Sequence, residues 1–209
     1  MKHKFEDVIT SEEDFRKVMG YPSELVTRKV IDYIDENCQL FIEESPFIVI
    51  STSDQNGNLD ASPKGDPPGF VKILDNKTLA IPDRLGNKRA DTFMNVLQNP
   101  KVGLIFLIPG IKETLRINGK AQIVKDKKVL ELLAHKNRLP NLAMIVHVEE
   151  AFLHCTKCII RSKLWANIDV ASKRKVPTLA KSLIDHAKLD ISYEEMDKML
   201  KNDEKTGLY

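Results

Sequence analysis

Two strand–turn–strand units stand one after the other between Pro46 and Asp83, and they constrain the fold more than any other feature. "PFIVISTSD" (46–54) is dense in β-branched residues and reads as a strand. "DQNGN" (54–58) follows as a hairpin turn, because Asn-Gly supplies the positive φ angles a tight turn requires. "LDASPKG" is the returning strand. "FVKILD" (70–75), the turn Asn76-Lys77 and "TLAIPD" (78–83) make the second hairpin.

Further strands extend this pattern. "KVGLIFLIPG" (101–110) is a continuous apolar run and predicts a strand buried on both sides. "ETLRINGKAQIV" (113–124) alternates, with Leu115, Ile117, Gly119, Ala121 and Ile123 on one face. "LAMIVHVEEAFLHCTKCIIRS" (142–162) supplies one or two more. Helices fill the gaps. Ser11, with Glu13 and Asp14 behind it, caps a short one, and Pro22-Ser23 opens a clearer one that ends near Asn37. "GNKRADTFMNVLQNP" (86–100) reads as a helix stopped by Pro100, and Asp126 caps "KKVLELLAHKN". From Pro177 the tail is helical, with Ser192 and Glu195 as a capping box. At least six strands joined mainly by hairpins, without strand–helix alternation, exclude a doubly wound parallel sheet and predict an antiparallel β-barrel with peripheral helices. The expected organisation is a helical segment over 1–45, the barrel over 46–170 and a helical tail over 171–209.

Charge and cysteine usage narrow the function. The 32 basic and 30 acidic residues nearly cancel, which gives no bulk attraction to nucleic acid or an anionic membrane. No apolar run approaches the roughly 18 residues of a membrane helix. The N-terminus lacks the apolar stretch of a secretion signal. Three cysteines are too few for a disulfide framework, so the expected location is the cytoplasm.

Four polar islands interrupt the strands. Ser62-Pro63-Lys64-Gly65, continued by Pro67-Pro68-Gly69, holds a cation on a rigid turn, suited to meeting an anion; a plain connector with a solvated lysine is the competing reading. Arg84, Gly86, Asn87, Lys88 and Arg89 follow Pro82 at the expected start of a helix, where free N–H groups favour an anion; a solvated charged turn competes. Thr114 and Arg116 lie on the polar face of an alternating strand, placed either to bond a planar ligand or to face solvent. The fourth island is "HCTKCIIRSKLW" (154–165). A metal there requires four ligands, to be found among Cys155, Cys158, His147, His154 and Cys38. Read as a strand, the segment turns Cys155 and Cys158 to opposite faces, against a dithiol or metal pair. Lys157, Arg161 and the sole tryptophan, Trp165, are instead suited to covering a flat ligand with an anionic tail.

In order and spacing, "SPKGDPPGF", "PDRLGNKR", "LIFLIPGIKETLRING" and "HCTKCIIRSKLW" resemble the motif series of pyridoxamine 5'-phosphate oxidase-like, flavin-binding proteins, over roughly residues 20 to 170. The resemblance implies a split antiparallel β-barrel of FMN-binding type that forms a homodimer with flavin sites at the subunit interface. By that likeness Ser62, Lys64 and Gly65 lie along the flavin ring and ribityl chain. Pro82, Arg84, Asn87, Lys88 and Arg89 flank and hold the phosphate. Thr114 bonds the ring from the partner subunit, and Lys157, Arg161 and Trp165 close the site. The implied function is oxidoreductase, passing a hydride between FMN and a small organic substrate or nicotinamide reductant. A non-catalytic flavin-binding or haem-binding module of the same barrel is the alternative, with His147 and His154 as candidate axial ligands. After Trp165 the residues that bind substrate phosphate in the oxidases are missing; "KRKVP" (173–177) is a faint echo, which argues against vitamin B6 as substrate.

Overall fold

The computed structural model describes residues 5–166 and 176–207. The expected boundary at 170/171 and most of the "KRKVP" run lie outside the described residues. Seven strands, β1 (Phe47–Ser53), β2 (Leu59–Gly65), β3 (Lys72–Asp75), β4 (Thr78–Pro82), β5 (Lys101–Leu107), β6 (Thr114–Val124) and β7 (Ala143–His154), form one sheet in the order β2-β1-β5-β6-β7-β4-β3. Every ladder is antiparallel. The helices are α1 (Glu12–Met19), α2 (Glu24–Arg28), α3 (Glu36–Glu44), α4 (Asp91–Gln98), α5 (Lys127–Leu132), α6 (Lys157–Ser162), α7 (Leu179–Ala187) and α8 (Tyr193–Thr206).

Period-2 alternation builds the core. Ile48 and Ile50 of β1, Leu104 and Phe106 of β5, and Leu115 and Ile117 of β6 are fully or almost fully buried on one face. Cys38 and Ile42 of α3 and Phe93 and Val96 of α4 join the same cluster. The two hairpins form where the turn chemistry places them, and Gly57 takes φ 83° in the first. β7 pairs with β6 along its length and with β4 through its first half, so it carries the sheet past the second hairpin. At Asn118/Gly119 the β6–β7 register slips by a residue. Gly119 approaches the backbone so closely there that a Cβ would overlap the His147 carbonyl oxygen.

Three expectations about elements are corrected. β5 is buried on one face, not both: Val102, Leu104 and Phe106 point inward, while Ile105 is exposed, because among the described residues no helix covers it. The helix expected from Pro22 to Asn37 breaks in two. Residues Leu25, Val26 and Val30 find nothing to bury against, so α2 ends at Arg28. Ile31 instead exchanges backbone hydrogen bonds with Ala151 (3.1 and 2.7 Å). α3 begins where that helix was to end, capped by Asp35, whose carboxylate accepts from the Cys38 N–H at 2.8 Å. The segment after His154 is not a strand but α6, with Ile159 as its buried residue.

Candidate functional site

β2 is an edge strand, which accommodates Pro63 without breaking a ladder on its open side. Its alternation is inverted. Asp60, Ser62 and Lys64 stand opposite Thr52, Ile50 and Ile48, on the core-facing side, while Leu59, Ala61, Pro63 and Gly65 face outward. Polar side chains aimed at the inner face of an apolar sheet require partners. Asp60 provides two: its carboxylate accepts from the Ser62 hydroxyl at 2.9 Å and from the buried Thr92 hydroxyl, on α4, at 2.8 Å. This stitches β2 to α4 and spends the Ser62 proton, leaving the Ser62 oxygen as an acceptor.

Ser62–Gly65 ends β2, as expected of the returning strand "LDASPKG". The turn follows at Pro67-Pro68-Gly69, with Gly69 at φ 77°. The basic run lies elsewhere than expected. Arg84, Asn87, Lys88 and Arg89 sit in a loop ahead of α4, not in its first turn. Lys88 and Ala90 take left-handed φ angles of 61° and 56°, which hold the chain out of the helical region until Asp91. Ala90, the N-cap, has no side chain to bond the first turn of α4. Strained non-glycine backbone of this kind is kept where the surroundings over-determine it.

Strand end, loop and helix start enclose a cavity of about 490 Å³, in the usual range for small-molecule sites. Ser62, Pro63, Lys64 and Gly65 line one side; Pro82, Asp83, Arg84, Gly86, Asn87 and Lys88 line the other, with Phe70 and Phe93 as apolar wall. Arg84 donates through Nε to Asp66 at 2.6 Å. The Asp66 side chain is 1% exposed and that of Arg84 19%, so this is a largely buried ion pair that engages the guanidinium through Nε. Burial pushes the Asp83 carboxyl above its ordinary value, opposed by nearby Lys64 and Arg84.

The chain thus gathers Ser62, Lys64, Gly65, Pro82, Arg84, Asn87 and Lys88 into one cavity. Arg89 does not line it: its guanidinium pairs with Asp91. Thr114, Lys157, Arg161 and Trp165 lie outside it too, where β6 begins and β7 ends. Thr114 pairs with His154, and α6 follows directly. The Trp165 indole N–H donates to the Ile111 carbonyl oxygen at 2.6 Å, clasping the segment after α6 onto the β5–β6 loop. His147 is exposed beside Gln122, and among the described residues no cluster of three His, Cys, Asp or Glu is placed to hold a metal. Sequence reasoning missed Asp60, Asp66 and Asn141. The inverted alternation of "LDASPKG" was a usable signal for Asp60; the pairing of Asp66 with a residue 18 positions away had none.

The family model for pyridoxamine 5'-phosphate oxidase matches residues 34–155, more than half of the chain. The chain belongs to the pyridoxamine 5'-phosphate oxidase family. The matched segment of this family member runs from Ile34 to Cys155 and so includes every strand and the whole cavity. Among solved structures it is similar to HupZ of Group A Streptococcus (20% identity, TM-score 0.49, covering 57% of this chain and 93% of that one). A Clostridium acetobutylicum protein related to general stress protein 26, of the pyridoxinephosphate oxidase family, has 16% identity and a TM-score of 0.44, over 56% and 85%. HutZ, the haem storage protein of Vibrio cholerae, has 13% identity and a TM-score of 0.41, over 58% and 93%. No curated protein matches the chain. Among the described residues no helix is long and apolar enough to cross a membrane.

Proposed function

We propose that this family member is an FMN-binding flavoprotein acting as an oxidoreductase on a small organic substrate. The observation that carries the reading is the cavity between β2 and the loop before α4, where Lys64, Arg84 and Lys88 line one space with strand-end backbone and two phenylalanines. Its chemistry fits a ligand with an anionic phosphate and a flat, apolar ring. Arg84, braced by Asp66, and Lys88 hold the phosphate, and the uncapped start of α4 adds backbone N–H groups beside them. Ser62, with its proton committed to Asp60, offers an acceptor along the ring, and Lys64 a cation. Bound FMN supplies a ring that accepts and returns a hydride. The residues of the chain bind it, orient it and set its electrostatic surroundings.

The same reading accounts for the separation of the remaining predicted residues. Thr114, Lys157, Arg161 and Trp165 complete the cavity from a second copy of the chain. The outer face of the sheet, with Phe47 39% and Ile105 42% exposed, is the apolar surface that such a homodimer covers. The haem alternative is less well supported, since among the described residues no His, Cys or Met lines the cavity.

The test is the absorption spectrum of the protein before and after adding FMN, followed by anaerobic NADH and NADPH. A bound flavin spectrum that bleaches with a reductant supports an oxidoreductase; binding without bleaching supports a carrier or sensor. Arg84→Ala with Lys88→Ala is expected to weaken FMN binding at least about 100-fold, from the loss of two charge-assisted contacts of about 1.5–3 kcal/mol each, and riboflavin binding far less. Equal losses for both ligands would refute the phosphate assignment.

A further inference from the structure

The Cys155/Cys158 pair has no part in the cavity, and the structure removes the objection to a joint role for it. A strand would turn the two side chains to opposite faces. Here the chain leaves β7 at His154, Thr156 turns it with φ −72° and ψ −13°, and Cys158 falls in the first turn of α6. The Cys158 thiol lies 4.0 Å from the Cys155 carbonyl oxygen, across that turn. Both cysteines are exposed. Residues three apart on a helical turn are neighbours, with Cβ atoms about 5–6 Å apart, and a disulfide needs about 3.5–4.5 Å. The difference falls on Cys155, which precedes the N-cap and is not held by the helix. The remaining cysteine is no competitor: Cys38 is buried in the core, and burial pushes its thiol up to about 12.

We propose that Cys155 and Cys158 form a reversible disulfide within one chain, making this turn a thiol–disulfide exchange site. The partner is a small dialkyl disulfide of the glutathione class. The thiolate of one cysteine attacks a sulfur of the small disulfide, forming a mixed disulfide and releasing one small thiol. The second cysteine, as thiolate, then displaces the other small thiol. The two protein thiols lose two protons and two electrons, and the small disulfide becomes two thiols. Closure links the last residues of β7 to α6, the helix that carries Lys157 and Arg161. The proposal stands whether or not the cavity takes FMN.

The test treats the intact protein with oxidised glutathione, alkylates the remaining thiols and measures the whole-protein mass. The expected product has lost the mass of two hydrogen atoms, takes up no alkylating agent at Cys155 or Cys158, and reverts with reduced glutathione. Cys158→Ser is expected to stop at a glutathione adduct on Cys155, because no thiol remains to displace it. Separate glutathione adducts on both cysteines of the unaltered chain, or chains joined to one another on a non-reducing gel, would overturn the proposal. So would an unchanged mass under oxidising conditions that convert a control dithiol. Circular dichroism of the serine variant separates loss of exchange from loss of fold.

Discussion

Replacing Asp66 with Asn tests whether the Arg84 guanidinium is held by a buried charge or merely sits near one. The pair is close (2.6 Å) and the Asp66 side chain is 1% exposed, so an unpartnered arginine would be left at the edge of the core. Removing one member of a fully buried pair costs about 3–5 kcal/mol. Arg84 keeps 19% of its side-chain surface in water, and the Asn carbonyl can still accept a hydrogen bond, so the expected loss is smaller, about 2 kcal/mol. With a urea dependence of about 2 kcal/mol per molar, the unfolding midpoint should fall by about 1 M. Arg84→Gln should also destabilise, and the double variant clearly less than the sum, because both single changes break the same ion pair. A midpoint shift below about 0.3 M, or simple additivity in the double variant, would refute the claim that this pair organises the loop before α4.

Two further outcomes follow from the same structure. Gly119→Ala should destabilise the fold by about 1–3 kcal/mol, read as a lower midpoint in urea, because the new Cβ meets the His147 carbonyl oxygen; unchanged stability would mean that the β6–β7 bulge gives way freely. Asp83 sets a pH dependence: a carboxyl whose folded value is raised holds its proton more tightly in the folded state, so its contribution is greatest at low pH and is lost as pH rises through the folded value. Asp83→Asn should therefore be more stable than the unaltered protein at pH 7, with the advantage disappearing below the unfolded carboxyl value of about 3.9; an advantage independent of pH would contradict the burial of this group.

Most of the sheet was legible because its signals are local. Asn56-Gly57 set the first hairpin, and the strict alternation of Leu115 and Ile117 oriented β6. Ser11, Asp126 and Ser192 each accept the backbone hydrogen bond expected of an N-cap. Part of the cavity lining was legible as well, since Ser62–Gly65 and Arg84–Lys88 lie at two strand ends that the hairpins make recognisable, whereas Phe70, Phe93 and Asn141 gave no such local signal. The misread segments share a different cause. Residues 24–31 have a helical pattern, but nothing lies beneath their apolar side, and the ladder with Ala151 takes Ile31 instead. Residues 157–162 are rich enough in β-branched residues to pass for a strand, yet the chain turns after β7 and buries Ile159 from a helix.

Local residue chemistry, then, determined the turns, the caps, the alternation of faces and the presence of a cationic site. Tertiary structure alone decided which face of β5 is covered, that Arg84 meets Asp66, that Cys155 and Cys158 share a turn, and that Thr114 and Trp165 stand apart from the cavity. The physical reason is that turns and caps are settled by hydrogen bonds within a few residues, whereas burial and ion pairing depend on what distant parts of the chain place alongside.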